Sequence, residues 1–274
     1  MNKLKKFFLN KGSSIAYALI SAVFTLVPED LLNMIPLCNN MDRPMKIFVI
    51  HIIICVFFIL LANVIYFCYK KKRQKVLING NNYCVQVEYG DLMKISDGKV
   101  VINFDECYTT NVGDNPGDIK TDSVCGQYLR EFPISSMEDL IENADVKPER
   151  GKSLYKGKDK YAPGTIVPNG KYLLMAFAKL DQNGLGHLTY EDYIECLNKL
   201  WEQIDKWHAT SDVYVPILGS RITRFDKDLT QQELLDVMIY TYLLSPKKMK
   251  KPFKLHIVCQ EREGFSINDV FGVV

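Results

Sequence analysis

The residues best equipped for chemistry lie in one short stretch, Gly219-Ser220-Arg221-Ile222-Thr223-Arg224-Phe225. Glycine lets a backbone approach a ligand closely, serine and threonine bring hydroxyls, and the two arginines bring forked donors matched to phosphate oxygens. That set suits an anion, with a diphosphate the natural occupant; the competing reading is a solvated turn. A second stretch, Asp181 to Asp192, resembles a calcium loop, with acceptors at its first and third positions, Gly186 at the sixth and Leu188 at the eighth. Its fifth position is Leu185, which offers no side-chain oxygen, and its twelfth is Asp192 where a longer bidentate glutamate is expected, so calcium is disfavoured. The eight cysteines, Cys38, Cys55, Cys68, Cys84, Cys107, Cys125, Cys196 and Cys259, are scattered without a CxxC pair. They read as reduced packing residues rather than as zinc ligands or a disulfide framework. His187, His208 and His256 have no nucleophile near them in sequence, and His256 sits in an apolar run, so no catalytic residue, metal site or cofactor is assigned.

An anion loop needs a scaffold, and its flanks supply one. Val213 to Leu218 reads as a buried strand before the loop. Thr230-Gln231-Gln232-Glu233 is a capping box opening a helix that carries Leu234, Leu235, Val237, Met238, Tyr242 and Leu243, and Lys254 to Cys259 closes the unit as another buried strand. Strand, glycine loop, helix and strand make a right-handed crossover with parallel strands, and such sheets bind ligands beyond the carboxyl ends of the strands. Upstream, Tyr190, Tyr193, Ile194, Leu197, Leu200, Trp201, Ile204 and Trp207 recur at helical spacing behind a Thr189 cap, predicting a helix over 190–208. The runs 83–87 and 99–104 read as strands. Short helices are expected near 124–131 and 136–143 among long polar loops between Asp105 and Lys160. Tyr172 to Ala178 is strand or helix, which periodicity cannot separate.

The N-terminal part is of another kind. Ile47 to Tyr69 is an uncharged, mostly apolar run ending at Lys70-Lys71-Lys72-Arg73, long enough to cross a bilayer core of roughly 30 Å. Ser13 to Pro28 is also uncharged and becomes a span if extended back through Phe7, Phe8 and Leu9; a cleaved signal peptide shares its basic-then-apolar order, but Phe24 to Pro28 offers no small-x-small cleavage site. Basic residues before the first segment and after the second put both termini in the cytoplasm, with Glu29 to Lys46 outside. Within the segments, Asn63 seeks a partner on its own hairpin or on a second copy, and Ala16, Ala18, Ser21 and Ala22 form a small-residue face. Residues 1–75 carry net charge +8, so the remainder of a chain with net +2 carries −6. An acidic remainder argues against non-specific nucleic-acid binding. The organisation expected is a two-helix membrane hairpin over 1–75 and one cytoplasmic α/β domain over 76–274.

Several short runs, in order, are similar to a known family. Gly90-Asp91-Leu92, Val100 to Thr110, Ser123 to Gly126, Tyr161 to Thr165, Tyr172 to Ala176, Leu200-Trp201 and Val215 to Arg224 resemble the divergent macro domains of Thoeris antiphage effectors, in the branch with two membrane helices before the macro domain. The resemblance implies a three-layer α/β/α macro-like fold with a mixed sheet. It also implies a nucleotide-derived signal, histidine-conjugated ADP-ribose made by a partner TIR-domain enzyme, as ligand, and assembly of the membrane part into a homo-oligomer that damages the bacterial inner membrane. Carried over by position, Asp91 accepts from the adenine amino group. Asn103, Asp105 and Glu106 face the distal ribose or its conjugate, with the acidic pair placed for the conjugate's amino group. Gly219 to Phe225 wraps the diphosphate.

The chain also departs from the macro hydrolases. Asn103-Phe104-Asp105-Glu106 replaces their Asn-Ala-Ala-Asn strand end, Gly113 to Gly117 lacks consecutive glycines, and Arg221 stands where the second glycine of Gly-x-Gly belongs. A receptor-effector is therefore expected, with a membrane-anchored ADP-ribosyl hydrolase or a binding adaptor as alternatives.

Overall fold

The computed structural model describes residues 11–36, 41–115, 117–220 and 223–270. Lys3, Lys5, Lys6, the Phe7–Leu9 extension, Cys38, Arg221 and Ile222 lie outside the described residues. The chain divides between Arg73 and Gln74 into two units.

The first unit contains α1 (Lys11–Leu26), the short α2 (Glu29–Asn33) and α3 (Arg43–Lys72). Within α3, the most apolar 18 residues of Arg43–Tyr69 have mean hydropathy 3.0, and this is the one helix among the described residues long and apolar enough to cross a membrane, whereas Ser13–Leu26 is shorter. The polar side chains hold the pair together: Asn63 Nδ2 donates to Ser13 Oγ at 3.1 Å and to the Ile59 carbonyl at 2.8 Å. The His51 ring lies edge-on to Phe24 at 4.4 Å. Contacts 13–63 and 24–51 make α1 and α3 antiparallel, and give Asn63 its partner within its own hairpin. The face of α1 that packs is Ser13, Ala16 and Ile20, at steps of three and four residues. Ala18, Ser21 and Ala22 are exposed; their helical phase puts them off that stripe.

The second unit is an α/β sandwich. Its strands are β1 (Lys75–Asn79), β2 (Cys84–Tyr89), β3 (Lys99–Asp105), β4 (Ile166–Asn169), β5 (Tyr172–Leu180), β6 (Gly186–Leu188), β7 (Val213–Pro216), β8 (Arg224–Phe225) and β9 (Leu255–Cys259). Its helices are α4 (Val124–Glu131), α5 (Met137–Asn143), α6 (Tyr190–Trp207) and α7 (Gln231–Leu244). The strand order is β1-β2-β9-β7-β3-β5-β6-β8, with β4 alongside β5. Pairs β2/β9, β9/β7, β7/β3, β3/β5 and β6/β8 are parallel; β1/β2, β4/β5 and β5/β6 are antiparallel. The sheet is thus mixed, as expected, and β7 and β9 are neighbouring parallel strands joined through α7.

Strand alternation produces the layers. Val101 on β3 and Leu173, Met175 and Phe177 on β5 enter one core with α6 and α7; Val100, Ile102, Phe104, Tyr172, Leu174 and Ala176 enter the other with α4 and α5. The ambiguous run 172–178 is therefore strand, apolar at every position because both faces are covered. Between α6 and α7, fully buried Trp201 donates Nε1 to Thr241 Oγ1 at 3.0 Å. The caps expected at Thr189 and Thr230 are present, the latter as a complete capping box. Asp181 closes the β5–β6 turn, accepting from the amides of Asn183 and Leu185 at 2.8 Å each, while Asp192 pairs with Lys179 at 2.8 Å. His256 is buried between Glu88 (2.6 Å) and Asp212 (3.2 Å) and stacks on Tyr214, tying β2, β9 and β7 together.

Candidate functional site

A groove crosses the carboxyl ends of β2, β9, β7, β3 and β5. Its proximal chamber, about 100 Å³, is walled by Gly90 and Leu92 after β2, Val258 and Gln260 at β9, and Pro216, Ile217, Gly219 and Ser220 at the end of β7 and beyond. The distal chamber, about 190 Å³, is walled by Phe104 and Asp105, by Phe177, Ala178 and Leu180 at the end of β5, the β5–β6 turn, Lys120 and Arg224. Asn103, Ser123 and Thr223 belong to both chambers, so the two form one elongated site. Together they fall near the lower end of the roughly 300–1,000 Å³ usual for small-molecule pockets.

The loop after β7 owes its shape to Gly219. Its φ is +78°, and a Cβ there would sit 2.5 Å from the Phe225 ring. Phe225 is therefore a strut beneath the loop; its ring meets Tyr193 at 5.3 Å, and Tyr193 donates its hydroxyl to the Leu218 carbonyl at 3.3 Å. Ser220 lines the proximal chamber, Arg224 the distal one, and Thr223 both.

Opposite that loop stands α4. Ser123 caps it by accepting from the Gly126 amide at 3.0 Å, and Ser123, Val124 and Cys125 line the groove, so the start of a helix borders it, a setting that favours anions. Gly126 permits the close approach: a Cβ would come within 2.2 Å of the Lys120 carbonyl. The sequence alone assigns no ligand contact to Ser123, Val124, Lys120, Gln231, Gln260 or Arg262. Their signal is faint because a capped helix start or a lone arginine acquires meaning only from its tertiary neighbours.

The expected acidic pair separates. At the end of β3 the register slips, with Phe104 opposite Ala176 and Asp105 opposite Ala178, a bulge of the kind that re-aims side chains. Asp105 lines the distal chamber, but its carboxylate accepts from the amides of Cys107 (2.8 Å) and Thr109 (3.2 Å) and from the Thr109 hydroxyl. Burial pushes this carboxyl above the ordinary 3.8, with the Thr109 hydroxyl and these amides opposing. Glu106 turns away from the groove and is buried, accepting from Ser153 Oγ at 2.5 Å and the Leu180 amide at 3.2 Å. Asp91 lies between two proximal-chamber residues, yet its own carboxylate caps the turn Leu92–Lys94 through the Met93 amide (3.1 Å) and sits 3.5 Å from Lys94. Burial pushes the thiols up, Cys107 to about 11 and Cys125 well above its ordinary range, so neither is an activated nucleophile. Among the described residues no group of three or more His, Cys, Asp or Glu side chains is disposed to hold a metal.

A mixed sheet between two helical layers, grooved across its carboxyl ends and preceded by a long apolar helix, defines a macrodomain-like α/β protein. The family model for the macro domain of Thoeris protein ThsA matches residues 85–260, and the chain belongs to that family. Thoeris protein ThsA of Bacillus amyloliquefaciens (strain Y2) is 29% identical over 204 residues, covering 70% of this chain and 68% of that protein. Among solved structures, a mutant Oceanobacillus iheyensis macrodomain with ADPR aligns at TM-score 0.46 and 10% identity, covering 69% of this chain and 91% of that one. The macrodomain of Thermus aquaticus DarG aligns at 0.38 and 14%, covering 64% and 97%.

Proposed function

We propose that this protein is an antiphage effector whose groove captures an ADP-ribose-derived signal, histidine-ADP-ribose, made by a TIR-domain enzyme. Residues 1–75 then act as a membrane hairpin and residues 76–274 as the ligand-binding domain, with both termini in the cytoplasm and the hairpin in the bacterial inner membrane. Ligand binding shifts an equilibrium from dispersed to assembled hairpins by preferring one state, and the assembled form disrupts the bilayer. The observation that carries this reading is the wall shared by the two chambers. Asn103, Ser123 and Thr223 line both chambers; in this reading the anionic middle of a long ligand meets them and the start of α4, with a base on the Gly90 side and the conjugated group on the Asp105 side. In this role the protein is a receptor and needs no cofactor.

Mass spectrometry of the small molecule that co-purifies with the full chain from phage-infected cells, with calorimetry against ADP-ribose and its histidine conjugate, tests the proposal. Absence of binding by every ADP-ribose derivative rejects it. The place of Asn103 on the shared wall supports one competing reading, an ADP-ribosyl hydrolase. Release of ADP-ribose from a modified protein, abolished by Asn103→Ala, selects that reading instead.

A further inference from the structure

The chain beyond β9 touches the groove at one end and the start of the sheet at the other. Gln260 and Arg262 line the proximal chamber. Arg262 Nη1 donates to the Ser220 carbonyl at 2.9 Å, so an anion in that chamber meets the guanidinium that also holds the ligand loop. The Gln260 carbonyl accepts from Gln231 Nε2 at 3.4 Å, and the Ser266 amide donates to Gln232 Oε1 at 3.4 Å, fixing the segment along the start of α7.

Its far end grips Tyr89. Phe265 stands edge-on to the Tyr89 ring at 6.1 Å, and the Ile267 amide donates to the Tyr89 hydroxyl at 3.2 Å. Ile267 and Val270 are buried in the same core as Val76 of β1. Tyr89 donates its own amide to the Gln74 carbonyl at 3.1 Å, and its neighbour Gly90 donates to the Cys259 carbonyl at 3.0 Å. Gln74 follows directly on Arg73, where the chain leaves α3.

We infer that Gln260–Val270 is a coupling strap: one end reads the occupancy of the groove through Gln260 and Arg262, and the other passes it through Tyr89 to β1 and the covalent junction with α3. The inference rests on the reading of the groove as an ADP-ribose-type site. A ligand moves an equilibrium only through contacts that differ between states, and the strap is a packed element with one contact set at the pocket and another at the start of the sheet. Tyr89 is a positioning residue here; it does not line either chamber.

Hydrogen–deuterium exchange on the full chain in membranes, with and without ADP-ribose, tests this for the wild type and for Tyr89→Phe, which removes the acceptor of the Ile267 amide. ADP-ribose is expected to slow exchange across 265–270 and across 75–79 by about tenfold or more in the wild type. Tyr89→Phe keeps ADP-ribose affinity within about threefold and loses the protection at 75–79. Protection confined to the groove, or full protection of 75–79 in Tyr89→Phe, overturns the strap while leaving the binding reading in place. Failure of the wild type to bind ADP-ribose or its histidine conjugate overturns both. If Tyr89→Phe does not fold, Phe265→Leu weakens the same junction from the strap side and is read by the same two outcomes.

Discussion

Ser153 Oγ donates to Glu106 Oε1 across 2.5 Å, both residues being 5% exposed, and this contact fastens the segment 151–160 to the ends of β3 and β5. The segment reads as a surface loop in sequence, yet it forms part of the wall behind the distal chamber. Tyr155 wedges against two glycines there: a Cβ on Gly117 would come within 2.4 Å of the Tyr155 hydroxyl oxygen and one on Gly184 within 2.7 Å of its ring. Ser153→Ala leaves a buried carboxylate short of a donor, a loss of about 1–3 kcal/mol. Thermal unfolding reads it directly; a melting temperature equal to wild type removes this contact as a fastening.

Asp105 makes stability depend on pH. Its carboxyl is raised above the ordinary 3.8, first by burial and against the Thr109 hydroxyl and the amides of Thr109 and Cys107. The folded chain therefore holds this proton more tightly than the unfolded chain does. Stability falls as pH climbs from the ordinary value through the raised one, and the deficit stays constant above. Asp105→Asn abolishes the titration while keeping an acceptor for the two amides. The variant's melting temperature relative to wild type is expected to be more favourable at about pH 7 than at about pH 4; the same difference at both is the failing result.

Gly219 and Phe225 are coupled through the ligand loop. Gly219→Ala places a side chain at φ +78° and within 2.5 Å of the Phe225 ring, at a strain of about 1–3 kcal/mol. Calorimetry is expected to give an ADP-ribose affinity more than about tenfold weaker. Adding Phe225→Leu removes the clash but not the backbone strain, so the double variant recovers part of the loss. Strictly additive effects would show that the ring does not shape the loop.

Legibility followed how local each signal was. The helix Tyr190–Trp207 and the capping box at Thr230 are written in spacings of three and four residues, and both stand where the sequence puts them. The strand Lys75–Asn79 was missed because it follows the basic run without a turn signal and has one buried side chain, Val76. The two-residue strand Arg224–Phe225 exists only through its pairing with His187 and Leu188. In the groove, the glycine loop was visible, whereas the inward turn of Glu106 depends on a register slip and on Ser153, 47 residues away. Arg262 acquires its role from a carbonyl 42 residues earlier, which no short window contains.

Ile54 separates the binding unit from its proposed output. It lies on α3 inside the apolar stretch Arg43–Tyr69, where a lysine near the bilayer centre costs about 2.5–3.5 kcal/mol. Nothing in the groove depends on this position in sequence, since the sheet begins at Lys75. Ile54→Lys is therefore expected to leave ADP-ribose binding by the solubilised chain unchanged and to abolish growth arrest when the TIR enzyme and phage are present. Membrane fractionation of the same cells distinguishes the two ways in which arrest can be lost: a variant that still sediments with membranes has lost assembly, and one that does not has lost insertion. Either supports output through the bilayer, because in both the ligand is captured and the membrane event is missing. Undiminished killing by Ile54→Lys would sink the membrane mechanism, and with it the proposal that assembled helices are what the captured nucleotide controls.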